Sequence, residues 1–270
     1  MGALLRRQAE PPLLRLRLLL LGLAIILLAE AGTPDAAFAE SCRNESLRGA
    51  AYIVCRFDPT KDDLRILWKG RDGRPYRTFD ALAAELKGEG RSLQFAMNGG
   101  MYEEDLSPVG LHIENGKVLA KANTATVKGP PSRIPNFYKK PNGVFYLGKA
   151  GAGILTTELF LAKRPKARFA TQSGPMLVIN GAIHPAFIAN SLDLKPRDGV
   201  GVASPTEVYF VISRVPVSFY EFALFFRDRL HCGNALFLDG GMAPGLYAPE
   251  LERDDLPAHG GYGPIIAVVK

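Results

Sequence analysis

Four short glycine-bearing segments carry the side chains in this sequence best suited to chemistry. They are Asn98-Gly99-Gly100, Gln172-Ser173-Gly174-Pro175, Arg197-Asp198-Gly199-Val200-Gly201 and Asp239-Gly240-Gly241. Glycine lets backbone approach a ligand closely and aims successive N–H groups at an anion. Asn98 adds an amide, Arg197 a fixed cation with a fork of donors, and Asp198 and Asp239 two carboxyl groups. Taken singly, each segment also reads as an ordinary turn, with Asp239 capping its own loop and Arg197 solvated. Taken together, four such turns joined to apolar runs read as one shared site.

Other chemistries lack their residues. There is no G-x-S-x-G, no P-loop, no H-E-x-x-H and no G-x-G-x-x-G after a strand. His112, His184, His231 and His259 show no metal-ligand spacing, which disfavours binuclear metal and Ser–His hydrolases. The net charge of +6 suits an anionic substrate or surface, and equally an ordinary basic soluble protein. No Lys/Arg block interleaved with aromatics points to nucleic acid.

The elements that must hold these segments are short. Residues 51–57 and 64–68 read as strands around the turn-like 58–63. Thr78 opens a helix with Phe79, Leu82, Ala83 and Leu86 on one face and Gly88 as its stop. Residues 93–97 form an apolar strand running into Asn98. Asn115-Gly116 and Asn180-Gly181 lie between apolar runs and predict two hairpins, since both turn residues need positive φ. Ser218 and Glu221 form a capping box for a helix with Phe219, Phe222, Ala223, Phe226 and Leu230 on its apolar face and Gly233 as its end. Residues 235–238 and 265–269 complete the strands. The expected fold is α+β: a single domain of mixed, mainly antiparallel sheets with a few packed helices.

Ahead of this domain stands a targeting pattern. Arg6, Arg7, Arg15 and Arg17 flank an uncharged apolar run, residues 18–29, which is short against the roughly 20 residues that span a bilayer. Ala37-Phe38-Ala39 then offers a cleavage site, so residues 1–39 read as a signal peptide and residues 40–270 as the mature domain. Periplasmic or secreted localisation follows; the alternative is an uncleaved N-terminal membrane anchor. In an oxidising compartment Cys42 and Cys55 can pair, leaving Cys232 as a buried thiol near a helix end.

In order, several segments resemble the phosphodiester glycosidase family, and most closely its smaller exported bacterial members. The resemblance runs from about Tyr52 to Val269 across separate motifs. It rests on Asn98 to Tyr102, on the loop around Asn142-Gly143, on Gln172-Ser173-Gly174-Pro175 with its following hairpin, on Arg197 with Gly199 and Gly201, and on Leu238-Asp239-Gly240-Gly241. One departure is Met242-Ala243-Pro244, where the family usually carries serines whose hydroxyls could reach a sugar or phosphate.

The resemblance implies hydrolysis of a sugar-1-phosphodiester at the glycosidic carbon, releasing free sugar and a phosphomonoester. That leaving group is already a stable anion, so one carboxylate and an anion cradle would suffice. Asp239 would act at the sugar as base or oxocarbenium stabiliser, with Asp198 as a second carboxylate, and Arg197 would hold the phosphate. N–H groups of Gly99, Gly100 and Gly174 would form the cradle, and Asn98 and Asn142 would bind hydroxyls. Gln172, Ser173, Gly240 and Gly241 would line the remaining substrate surface. The expected partner is a small-molecule or glycan phosphodiester, with no nucleic acid, and membrane contact only through an uncleaved leader. No cofactor is required on this reading, while a divalent cation stays compatible. Two alternatives stand beside it: a non-catalytic binder of envelope glycans or phosphoglycans, and a metal-dependent phosphoesterase.

Overall fold

A computed structural model of the chain describes residues 41–258 and 260–270, together with Gly2. The expected signal segment lies, but for Gly2, outside the described residues. Every strand pairing among the described residues is antiparallel, in three sheets. The seven-stranded sheet runs, edge to edge, through Cys42–Leu47, Ala50–Phe57, Glu207–Ser213, Arg197–Ser204, Asn234–Gly240, Met176–Ile179 and Ala182–Ile183. A five-stranded sheet is built on Leu93–Asn98 and Ile265–Val269, and a second on Gly143–Gly148 and Ala167–Ser173.

The alternation of side chains along each strand assigns the cores. Leu236 and Leu238 enter the main core, where Phe57, Phe95, Phe145 and Phe210 bring the three sheets together. Ala235 and Phe237, one position out of phase, enter a second core under Phe219, Phe222, Phe225 and Phe226. A third, smaller core forms where Phe160 of the Thr157–Lys163 helix covers Val144 and Ala170.

Several sequence expectations meet the structure directly. Thr78 caps the Phe79–Gly88 helix, its side chain accepting from the Ala81 N–H. Asn115 and Asn180 both take positive φ in tight hairpins. Both halves of the Ser218/Glu221 capping box are present. Cys42 and Cys55 sit opposite each other across the first strand pair and are disulfide-bonded, while Cys232 is a buried free thiol. Among the described residues, no helix is long and apolar enough to cross a membrane.

Two expectations need correction. The helix from Phe219 stays α-helical only to Leu224 and continues as a π-turn over Phe225–Arg229. The wider turn lets Phe225 and Phe226 both reach the core, at 0% exposure each. His231, not Gly233, then takes the left-handed position, with φ of 52°.

The second correction concerns the segment at Arg197, which is strand (Arg197–Ser204) rather than turn. Its glycines are there for packing. A Cβ on Gly201 would stand 2.5 Å from the Phe226 ring and 2.6 Å from Cys232 Sγ. A Cβ on Gly199 would stand 2.8 Å from Leu236 O and 3.2 Å from the Phe222 ring. Bare backbone at both positions lets the phenylalanine-rich helix settle onto the sheet.

Candidate active site

Asp198 and Asp239 come together because of an irregularity in the central pairing of the large sheet. Arg197 faces Gly240 and Gly199 faces Phe237, so Leu238 and Asp239 together oppose Asp198. Such a bulge interrupts the two-residue alternation and re-aims a side chain. The Asp239 N–H donates to Asp198 Oδ1 at 2.7 Å. Asp239 turns one carboxylate oxygen back to the Gly240 N–H at 2.8 Å. Its other oxygen has no hydrogen bond to a described residue, and the side chain remains partly exposed.

The two carboxyl groups differ in environment. Asp198 is fully buried, and burial, followed by the charge of Asp239, holds its pKa well above the usual carboxylate range. Asp239 is pushed up to about 6 by burial, against the pull of the Gly240 N–H. Both groups are harder to ionise than an ordinary carboxyl, and the Asp239 charge makes fully buried Asp198 the more reluctant of the two.

Asn98 and Tyr102 complete the cluster. Asn98 is buried at the end of its strand, and its Oδ1 accepts from the Gly245 N–H at 2.8 Å. Its Nδ2 favours the ionised form of Asp198, yet Asn98 Nδ2 and Asp198 Oδ2 are both buried without a hydrogen-bond partner among the described residues. Orphaned polar atoms are uncommon in folded interiors, and two of them at one carboxyl group mark this spot. Tyr102 is half-buried; burial, then the charges of Asp239 and Asp198, raise its hydroxyl to about 12, so it stays a hydrogen-bond donor. Tyr102 closes the Asn98-to-Tyr102 motif, and the sequence reading gives it no role of its own. The apolar run before Asn98 placed that motif at a strand end, which is the signal that could have singled it out.

Arg197 points elsewhere. As the strand neighbour of Asp198 it faces the opposite side of the sheet. There its guanidinium carbon lies 3.6 Å from the centroid of the Phe219 ring. Nε donates to Val217 O at 2.9 Å and Nη2 to Asp193 O at 3.2 Å. Burial lowers its pKa to about 10, opposed by Asp193. Nη1 has no partner among the described residues, and Arg197 lines a cavity of about 470 Å³ together with Arg133, Asn136, Lys139, Asp193 and Lys195. Arg197 is thus not beside the carboxyl pair, contrary to the single cluster the sequence suggests.

The remaining expected substrate contacts are mostly committed inside the protein. The Gly99 N–H donates to Pro264 O at 2.6 Å and the Gly100 N–H to Thr171 Oγ1 at 3.2 Å, so neither belongs to an anion cradle. A Cβ on Gly100 would fall 2.5 Å from both Gln172 O and Thr171 Oγ1, which is why that position carries none. Gln172 uses its whole amide: Oε1 accepts from Leu111 and Asn123 N–H groups, and Nε2 donates to Asn123 O and Thr157 Oγ1. Asn142 accepts from Thr157 and Lys140 and donates to Phe137 O. Ser173 Oγ donates to Leu238 O at 2.7 Å. Buried polar side chains bonded in this way hold in place the loops they join. Gly174 packs against Asn142 before a cis bond to Pro175, and Gly241 turns at φ of 73° while donating to Pro196 O. Among the described residues, no group of three or more His, Cys, Asp or Glu side chains could hold a metal ion.

Comparison with known proteins agrees with the fold. Residues 91–261 match the phosphodiester glycosidase family. The chain is 34% identical over 227 residues to YigE of Escherichia coli (strain K12), a protein without an assigned activity, with 84% of each chain covered. The catalytic domain of zebrafish N-acetylglucosamine-1-phosphodiester alpha-N-acetylglucosaminidase, solved auto-inhibited by its pro-peptide, superposes with a TM-score of 0.56 at 15% identity. That alignment covers 84% of this chain and 81% of the other. A hypothetical protein from Synechocystis aligns with a TM-score of 0.51 at 14% identity, covering 84% of this chain and 61% of that one.

Proposed function

We propose that this chain, which belongs to the phosphodiester glycosidase family, is an exported hydrolase that cleaves a sugar-1-phosphodiester at the glycosidic carbon. Family membership supports a hydrolase-type activity. The position of the cut is our inference, and the paired carboxyl groups of Asp198 and Asp239 carry it. Their environments differ, Asp239 partly exposed with a pKa of about 6 and Asp198 fully buried and more reluctant to ionise, and glycosidic chemistry works with carboxyl groups set apart in this way.

In this mechanism the Asp239 carboxylate faces the sugar carbon and stabilises the positive charge that develops as the glycosidic bond breaks, or activates the incoming water. Asp198 is a positioning residue, since it holds the Asp239 backbone through the 2.7 Å bond. The Tyr102 hydroxyl, protonated and half-buried, donates to a sugar hydroxyl or to the departing oxygen. The departing phosphomonoester needs little protonation. Arg197, packed on Phe219 and bonded to Val217 O, lies away from the carboxyl pair and has no role in the step. Export rests on the leader pattern of residues 1–39.

The test is turnover. Full-length protein incubated with glycosyl phosphodiesters, nucleotide sugars among them, should release reducing sugar, and Asp239→Ala should abolish the release. Tight binding of the same compounds with no release by the parent protein would favour a binding module, the reading to which Met242-Ala243-Pro244 lends support.

A further inference from the structure

We infer that the Arg197 side of the large sheet docks on an anionic phospholipid surface, through a cationic groove edged by an apolar loop. This surface goes beyond the hydrolytic reading and does not depend on it.

Two adjoining cavities form the groove. One, of about 470 Å³, gathers Arg133, Lys139, Lys195 and Arg197 around the single acid Asp193. The other, of about 290 Å³, shares Ile134, Lys139 and Asp193 with it and is walled by His184, Phe187, Ile188 and Phe219. The wall is a continuous stack. His184 lies on Phe187 at 4.7 Å, Phe187 on Phe219 at 4.9 Å, and Arg197 on the far face of that series at 3.6 Å from Phe219. Arg197 is 1% exposed and keeps Nη1 unpaired, so the cation is built into the site rather than swinging in solvent. Burial, then the nearby charges of Arg197 and Lys195, lower the Lys139 pKa, with Asp193 opposing. A cluster of cations with one counter-ion is short of negative charge, and an anion relieves it.

The loop beside the groove supplies the apolar half. Ile188 is 72% exposed, Leu192 92% and Leu194 47%, three large apolar side chains within seven residues. Local turns hold the loop in shape: Phe187 N–H to His184 O, Ser191 N–H to Ile188 O, Asp193 N–H to Ser191 Oγ and Leu194 N–H to Leu192 O. Exposed leucine and isoleucine next to a cationic pocket match both halves of an anionic phospholipid, acyl chain and headgroup.

Fluorescence of full-length Leu192→Trp protein tests the inference locally, whatever the leader does. With vesicles of phosphatidylglycerol its emission should move to shorter wavelength, and with phosphatidylcholine vesicles it should not. Ile188→Ser combined with Leu192→Ser should weaken association with phosphatidylglycerol vesicles by roughly a hundredfold relative to the parent, as two exposed side chains lose their burial in lipid. Lys139→Gln should weaken it by about fivefold. Thermal unfolding of the serine variant should match the parent, because both side chains are exposed. No shift on phosphatidylglycerol, an equal shift on both lipids, or unchanged association of the serine variant would each overturn the inference. So would saturation of the groove by inorganic phosphate without any vesicle-dependent shift.

Discussion

Replacing Asp239 with asparagine removes a charge from a site where burial has made that charge costly. The pKa of Asp239 rises from 3.8 to about 6. A shift of about two units corresponds to roughly 3 kcal/mol between the two protonation states. The folded chain binds this proton more tightly than the unfolded chain. The associated stability is therefore complete below about pH 4 and is lost as pH rises through about 6. Asparagine keeps the oxygen that accepts from the Gly240 N–H at 2.8 Å and never ionises. Asp239→Asn should accordingly be more stable than the parent by up to about 3 kcal/mol at pH 8, or roughly 6–12 °C in Tm for a domain of this size. The difference should shrink between pH 6 and pH 4 and vanish below that. Urea or thermal unfolding followed by circular dichroism across pH 4 to 8 measures it, with turnover recorded on the same samples. A constant offset at every pH, or a variant less stable at pH 8, would refute the reasoning about burial.

Asp198→Ala should lose most turnover and about 1–3 kcal/mol of stability, since the Asp239 N–H then has no acceptor; Asp198→Asn should restore much of the stability, which urea titration can follow. Gly201→Ala should cost about 1–3 kcal/mol by driving a methyl against Phe226 and Cys232, seen as a lower urea midpoint at unchanged slope. Arg197→Lys should lose about 1–3 kcal/mol with the Val217 bond and the stack on Phe219, seen as a lower urea midpoint.

Much of the frame was legible because its signals are local. Asn-Gly turns, the Thr78 and Ser218 caps and the Cys42–Cys55 pair each follow from residues close together in the chain. The segment at Arg197 was not legible as strand, because glycines at alternate positions erase the periodicity that marks a strand face. They are there for the helix above, an interaction with residues well ahead in sequence. The separation of Arg197 from Asp239 was hidden for a related reason. Alternation alone places neighbouring strand residues on opposite faces, but the bulge at Leu238 and Asp239 that brings the two carboxyl groups together leaves no short-range signal. Asn142, Gln172 and Ser173 looked like ligand contacts because polar side chains beside glycines suggest exposure. In the fold they are interior groups, Asn142 and Gln172 sharing Thr157 as a partner and all three bonded to backbone.

Hydrolysis in water labelled with oxygen-18 tests the central claim most directly. Cleavage at the glycosidic carbon places the label on the released sugar and leaves the phosphomonoester unlabelled, as the account predicts. Label in the phosphate would mean that the phosphorus–oxygen bond is broken, and would contradict the role given to Asp239.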